Sequence, residues 1–302
     1  MNVLIIGGTR FLGLAIARAL RRDGHEVTVF HRGQTPAALP DGAREVLGDK
    51  GNEAALQQAL AGHDALVDTV CSADDVRAIA RLAPAGLKRW VHCGSIGVYA
   101  PAVGIPALED DPCDPPESLG GYGTKLEQDQ ALIASGLPVV SLRACNIYGP
   151  GDIPLELRGG RDPQWFRDAA AGNEIVIPND GSSLLQPGHV ADLAEAFVLA
   201  LTEEAAVGRV YNIGPPQAVT LDQYAGLLRE ALGSASPIRH APMDEILAAP
   251  DWGGYEAGLR FLCEHMCAGV SRIERELGWR AATPLDRGLA ENVAWMREAG
   301  IL

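Results

Sequence analysis

The feature that most constrains this chain is its opening stretch, NVLIIGGTRFLGLAIARAL (residues 2–20). An apolar β-branched run leads into a glycine turn. Apolar residues at helical spacing follow from Gly13 to Arg22, until Asp23-Gly24 stops the pattern and His25 to Phe30 reads as a second strand. A glycine turn between a strand and a helix, inside a βαβ unit, is a place where a phosphate can bind. The unpaired N–H groups and the dipole at the helix start favour negative charge, and glycine lets the backbone come close. Gly7, Thr9, Arg10, Phe11, Leu12 and Gly13 are accordingly expected to contact a bound dinucleotide. Gly7 and Gly13 hold the outer positions of a G-x-x-G-x-x-G spacing, with Arg10 at its centre.

The end of the second strand, VTVFHRG (27–33), lacks the acid that usually accepts the adenosine ribose hydroxyls of NAD. His31 and Arg32 stand there instead. With Arg10 they can cradle a ribose 2′-phosphate through charge-assisted bonds, so NADP is the expected cofactor, with NAD as the alternative. A plain exposed arginine on a loop is the competing reading of Arg10.

The alternation continues through Glu45–Leu47 (strand), Glu53–Leu60 (helix), Ala65–Val70 (strand), Asp74–Leu82 (helix), Trp90–Cys93 (strand), Lys125–Ala134 (helix) and Pro138–Leu142 (strand). This predicts an α/β fold, a doubly wound parallel sheet of Rossmann type, over residues 1–150. After NIYGPGD (146–152) the pattern gives way to Gly- and Pro-rich loops, with helices expected near 163–171, 189–201, 220–232, 271–277 and 285–297. Residues 151–302 are thus expected to form a smaller substrate domain, with 188–213 returning to the first. At 302 residues and 47% hydrophobic content the chain can bury a sizeable core. Its formal net charge of −14 disfavours nucleic acid and anionic membranes as partners. No apolar run is long enough to span a bilayer, and the start lacks a signal-peptide pattern, so a cytoplasmic location is expected. The six cysteines suit neither a disulfide framework nor a metal site, and Cys263 and Cys267 read as one helix face.

Further motifs appear in order: LGDK (47–50), VHCGSIGVYA (91–100), YGTK (122–125), LPVVSLRACNIYGPGD (137–152), QPGHVADLAEAF (186–197), VYNIG (210–214) and ELGWRAATPLDRGL (276–289). Together they make the chain resemble the extended short-chain dehydrogenases/reductases, the NAD(P)-dependent epimerase/dehydratase superfamily. GGTRFLG with HRG is similar to an atypical branch that includes chloroplast stem-loop-binding proteins and bacterial relatives. The resemblance assigns Asp49 and Val70 to the cofactor. It implies that Tyr122 moves a proton at the substrate oxygen while a hydride passes to or from the nicotinamide. Lys125 would depress the tyrosine pKa and hold the nicotinamide ribose, and Ser95 would orient the substrate oxygen. Asn146, Arg158, Arg161 and His189 are carried over as candidate substrate residues, whereas Asp192 reads as a helix and loop support.

Two departures stand out. The family spaces its tyrosine and lysine by four residues, which on a helix leaves them about 40° apart, whereas three put them about 60° apart on the other side. A bulge at Gly120, Gly121 or Gly123 would let Tyr122 escape that geometry. The stretch between Asp68 and Trp90 is also short for the family, which weakens the expectation of family-type dimerisation. The resemblance implies an NADP-preferring oxidoreductase, epimerase or dehydratase acting on a sugar or nucleotide-sugar. The alternatives are a catalytically weak dinucleotide-binding regulatory protein and an RNA-binding protein.

Overall fold

The computed structural model describes residues 1–36, 38–249 and 252–302, and its centre is a seven-stranded parallel sheet. The strands β1 (Asn2–Ile6), β2 (Glu26–His31), β3 (Arg44–Leu47), β4 (Ala65–Asp68), β5 (Arg89–Ser95) and β6 (Val139–Ala144) are joined by Val210–Ile213. Their order across the sheet is Val210–Ile213, β6, β5, β4, β1, β2, β3. Successive residues of β1 explain the two-sided build. Val3 and Ile5 pack with helices α1 (Phe11–Arg22) and α6 (Val190–Thr202) on one face. Leu4 and Ile6 pack with α2 (Glu53–Leu60), α3 (Ala73–Leu82) and α4 (Tyr122–Ile133) on the other. Both faces being covered, the central strands β1 and β4 are buried almost along their whole length, without alternation.

Register brings the working ends together. Ile6 lies level with Phe30 of β2 and Asp68 of β4, and Ser95 at the end of β5 lies level with Ala144 of β6. The loops that follow these residues therefore share one rim, where ligands of open α/β sheets bind.

Beyond β6, a separate core gathers Tyr148, Leu157, Trp165 and Phe166 with residues of the helices Leu221–Leu232 and Leu285–Glu298. Here α5 (Pro163–Ala170) runs beside two short parallel pairs, Asn146–Tyr148 with Pro187–His189 and Ile175–Pro178 with Ile238–Ala241. The structure also adds helices at Met243–Ala248 and Glu256–Leu262 that the periodicity does not announce. The second corrects one expectation, because it ends at Leu262 and leaves Cys263 as its cap and Cys267 in an extended segment. No helix among the described residues is long and apolar enough to cross a membrane.

Candidate functional site

The opening turn is built by two glycines that nothing else can replace. Gly7 has φ +93°, and a methyl group there would lie 2.6 Å from Thr69 Oγ1. At Gly13 a methyl would lie 2.0 Å from the carbonyl oxygen of Gly7, a backbone atom with no room to yield. Arg10 is different. Its backbone is extended (φ −140°, ψ 154°), a conformation open to any residue, and its side chain is exposed. The central glycine is therefore dispensable here, and the left-handed strain falls on Phe11 instead, at φ 41°.

A cavity of about 730 Å³ opens above this turn, on the rim formed by β1, β2 and β4. Gly7, Thr9, Arg10, Phe11, Leu12, Gly13, His31, Arg32, Asp49 and Val70 all line it. Those are the residues named from the sequence for the dinucleotide, save Lys125. Cys93, Ile147 and Asp152 complete the wall toward β5 and the second part of the chain; they lie inside the motifs at 91–100 and 137–152, but the sequence reading assigns them no role there. The side chains of Arg10 and Arg32 make no hydrogen bond or ion pair among the described residues. His31 does: its Nδ1 accepts from the Gly33 N–H (3.1 Å), which leaves the ring proton on Nε2 facing Glu45 Oε1 (3.0 Å). Both of its nitrogens are thus engaged within the chain, and of the three groups expected at a 2′-phosphate the two arginines are free.

Ser95 and Tyr122 meet around Gly97. Ser95 Oγ accepts from the Gly97 N–H (3.1 Å) and so caps the turn Ile96–Tyr99. The Tyr122 ring lies directly on Gly97, where a methyl would sit 2.1 Å from a ring carbon. The same ring stacks on Phe261, with centroids 4.8 Å apart and planes 24° from parallel. The phenol makes no hydrogen bond among the described residues, yet its oxygen is not among the sealed polar atoms.

The lysine does not follow the family's pattern. The helix α4 starts at Tyr122 and runs regularly through Lys125 without the bulge that would realign them. A three-residue offset turns Lys125 to the side of α4 that faces β5, where its charge acts on His92 and Cys93. The phenol is accordingly not depressed. Burial pushes it up to about 12, neighbouring Tyr255 adds to that, and Arg161 opposes it.

Of the four candidate substrate residues, Arg158 and His189 line other cavities, and Arg161, whose charge reaches Tyr122, is taken up by the chain itself. Arg161 donates to the carbonyl oxygens of Ile147 (2.9 Å) and Ile153 and lies 3.6 Å from Asp152, so it braces the loop after β6 and is not a free clamp. Arg158 pairs with Asp162 (3.1 Å) and lines a separate cavity of about 640 Å³ with Trp165 and Trp252. His189 faces a third cavity, between α1 and α6, and packs edge-on against Tyr148. Burial lowers its pKa, so the ring is neutral at pH 7. Asn146 stands in the short strand Asn146–Tyr148, and its Oδ1 is buried with no hydrogen-bond partner among the described residues. Asp192 accepts from the backbone N–H groups of Ala282 (3.1 Å) and Thr283 (2.8 Å), a structural tie.

The profile of the NAD dependent epimerase/dehydratase family matches residues 3–81 and 72–214. Chloroplast stem-loop binding protein of 41 kDa b from Arabidopsis thaliana is 34% identical over 310 residues, covering 96% of this chain and 78% of that protein. UDP-glucose 4-epimerase from Corynebacterium glutamicum is 29% identical, covering 92% of this chain and 90% of that one. Among solved structures, MoeE5 in complex with UDP-glucuronic acid and NAD superposes with a TM-score of 0.76 at 24% identity, covering 99% of this chain and 100% of that one. The dTDP-glucose 4,6-dehydratase from Bacillus anthracis, in complex with NAD, gives 0.78 at 20% identity, covering 99% and 97%. These structural likenesses concern the fold.

Proposed function

Because this chain belongs to the NAD dependent epimerase/dehydratase family, the extended short-chain dehydrogenases/reductases, we propose that it is an NADP-preferring enzyme that oxidises, reduces, epimerises or dehydrates a sugar or nucleotide-sugar. The observation that carries the cofactor half is the cavity above the turn of Gly7 and Gly13, a turn so closely packed that a methyl at Gly7 would meet Thr69 and one at Gly13 the Gly7 carbonyl. The dinucleotide, when bound, supplies or accepts a hydride. In this reading the turn holds its pyrophosphate, Asp49 and Val70 border its adenosine end, and Arg10 and Arg32 hold a 2′-phosphate.

The chemistry falls to groups at the end of β5. Ser95 Oγ, already accepting one N–H, still has its own proton to donate to a substrate oxygen. Tyr122, with its pKa near 12, is protonated at neutral pH and therefore serves first as the acid toward a carbonyl oxygen. Lys125 contributes charge near the cavity wall at Cys93, and Asn146 is kept as a substrate residue on the family resemblance alone. Arg158, Arg161 and His189 have no place in the reading. The partner is a small molecule, and the −14 charge argues against a general affinity for polyanions.

The cofactor preference is directly measurable. NADP(H) should bind more tightly than NAD(H) by about 1.5–3 kcal/mol, roughly 10- to 150-fold, for one charge-assisted contact. Calorimetry of the Arg32→Asp protein should show that preference narrowed or reversed. Equal affinities in the unmodified protein would remove the 2′-phosphate explanation of both arginines. A second reading, a dinucleotide-binding regulator without turnover, draws on the turn of Lys125 away from the phenol. It predicts no hydride exchange into bound NADP with any sugar nucleotide.

A further inference from the structure

Tyr122 stands at the first position of α4, preceded by Gly120 and Gly121, and has no residue before it on the helix to pack against. Its direction must come from elsewhere in the chain. We propose that Phe261 is the positioning residue for Tyr122, supplying from the second part of the chain the orientation that a four-residue Tyr–Lys register would supply on α4. This inference rests on the assignment of Tyr122 as the acid/base.

The ring of Tyr122 is held by two surfaces. One is the backbone of Gly97, with no space for even a methyl group. The other is the Phe261 ring, at a centroid separation and tilt typical of an offset aromatic stack. Phe261 is itself buried and fixed by its helix, Glu256–Leu262. That helix is anchored by backbone contact, because a methyl on Gly258 would lie 2.0 Å from the carbonyl oxygen of Gly159, a residue at φ +84°. At its start, the Tyr255 hydroxyl closes over Gly120, where a methyl would meet it at 2.6 Å. The helix thus grips the beginning of α4 at two points. The phenol oxygen makes no hydrogen bond among the described residues and is not fully sealed, as a proton donor awaiting a substrate requires.

The test uses the protein loaded with NADP(H) and carrying ¹³Cζ-labelled tyrosine, with the Tyr122 signal assigned by its loss in Tyr122→Phe. In Phe261→Leu, which keeps an apolar side chain but removes the stacking plane, the signal should move to the position of an exposed tyrosine. Phe261→Tyr, which keeps the plane, should return it. Turnover should fall on the order of 10²-fold in the leucine variant, in kcat more than KM, and recover in the tyrosine variant, with NADPH affinity unchanged throughout. Should Phe261→Leu not fold, Phe261→Met, which keeps the apolar bulk without the plane, is expected to displace the same signal, and an unmoved signal there would overturn the inference equally. An unmoved Tyr122 signal in Phe261→Leu would overturn the inference, and so would a loss that the tyrosine variant fails to restore. Absence of turnover in the unmodified protein would instead count against the acid/base assignment, while the spectrum would still decide whether Phe261 sets the ring.

Discussion

A Gly13→Ala protein is expected to lose measurable dinucleotide binding, and to lose about 1–3 kcal/mol or more of stability as well. The reason is geometric. The added methyl would sit 2.0 Å from the Gly7 carbonyl oxygen, so the first turn of α1 has to move away from β1. That movement carries the N–H groups at the helix start out of reach of a pyrophosphate. Arg10→Gly provides the contrast. Arg10 is extended and exposed, so its replacement should leave the fold intact and reduce only the margin by which NADP exceeds NAD. Fluorescence or calorimetric titration of both variants, beside thermal melts, checks the pair. Near-normal NADPH binding by Gly13→Ala would mean that the dinucleotide does not lie on this turn.

How much of this was legible in the sequence depends on how local the cause is. Gly7 and Gly13 announce themselves because the geometry they serve lies within a few residues of each other. The apolar runs of β1, β4 and β6 likewise report burial on both faces, which is why the order of strands and helices could be read as a doubly wound sheet. The sideways turn of Lys125 was also implicit, since it follows from helical arithmetic over three residues.

Phe261 was not legible. Its contact with Tyr122 depends on the helix Glu256–Leu262, whose short span carries little periodicity and whose position is fixed by Gly159 against Gly258. The placements of Arg161, Arg158 and His189 escaped for the same reason. An arginine beside phosphate-like motifs looks free in one dimension, whereas in the fold the guanidinium of Arg161 is taken up by the carbonyls of Ile147 and Ile153. His31 shows the milder case, where an acid on the next strand, Glu45, engages a side chain that the sequence offers to a ligand.

Replacing Tyr122 by phenylalanine should lower turnover by two or more orders of magnitude and leave NADPH affinity almost unchanged. The phenol acts on the developing charge of the substrate oxygen and contributes little to ground-state binding. The stack on Phe261 and the contact with Gly97 involve only the ring, so phenylalanine preserves them and the fold should not suffer. The pH profile adds a second check. With its pKa raised to about 12 by burial, the phenol stays protonated through neutral pH, so reduction should be nearly flat there, while the oxidative direction should rise with pH as the phenolate appears. Steady-state rates in both directions, for both proteins, report this. A Tyr122→Phe protein with undiminished kcat would assign the proton transfer to another group.

The most direct measurement is a crystal structure with NADP(H) bound. The account predicts the adenosine phosphate between Arg10 and Arg32, and the Tyr122 hydroxyl within about 5 Å of both Ser95 Oγ and the nicotinamide ribose, facing the substrate space beside Asn146. A dinucleotide seated elsewhere, or a Tyr122 hydroxyl turned away from Ser95 while the cofactor is in place, would contradict it.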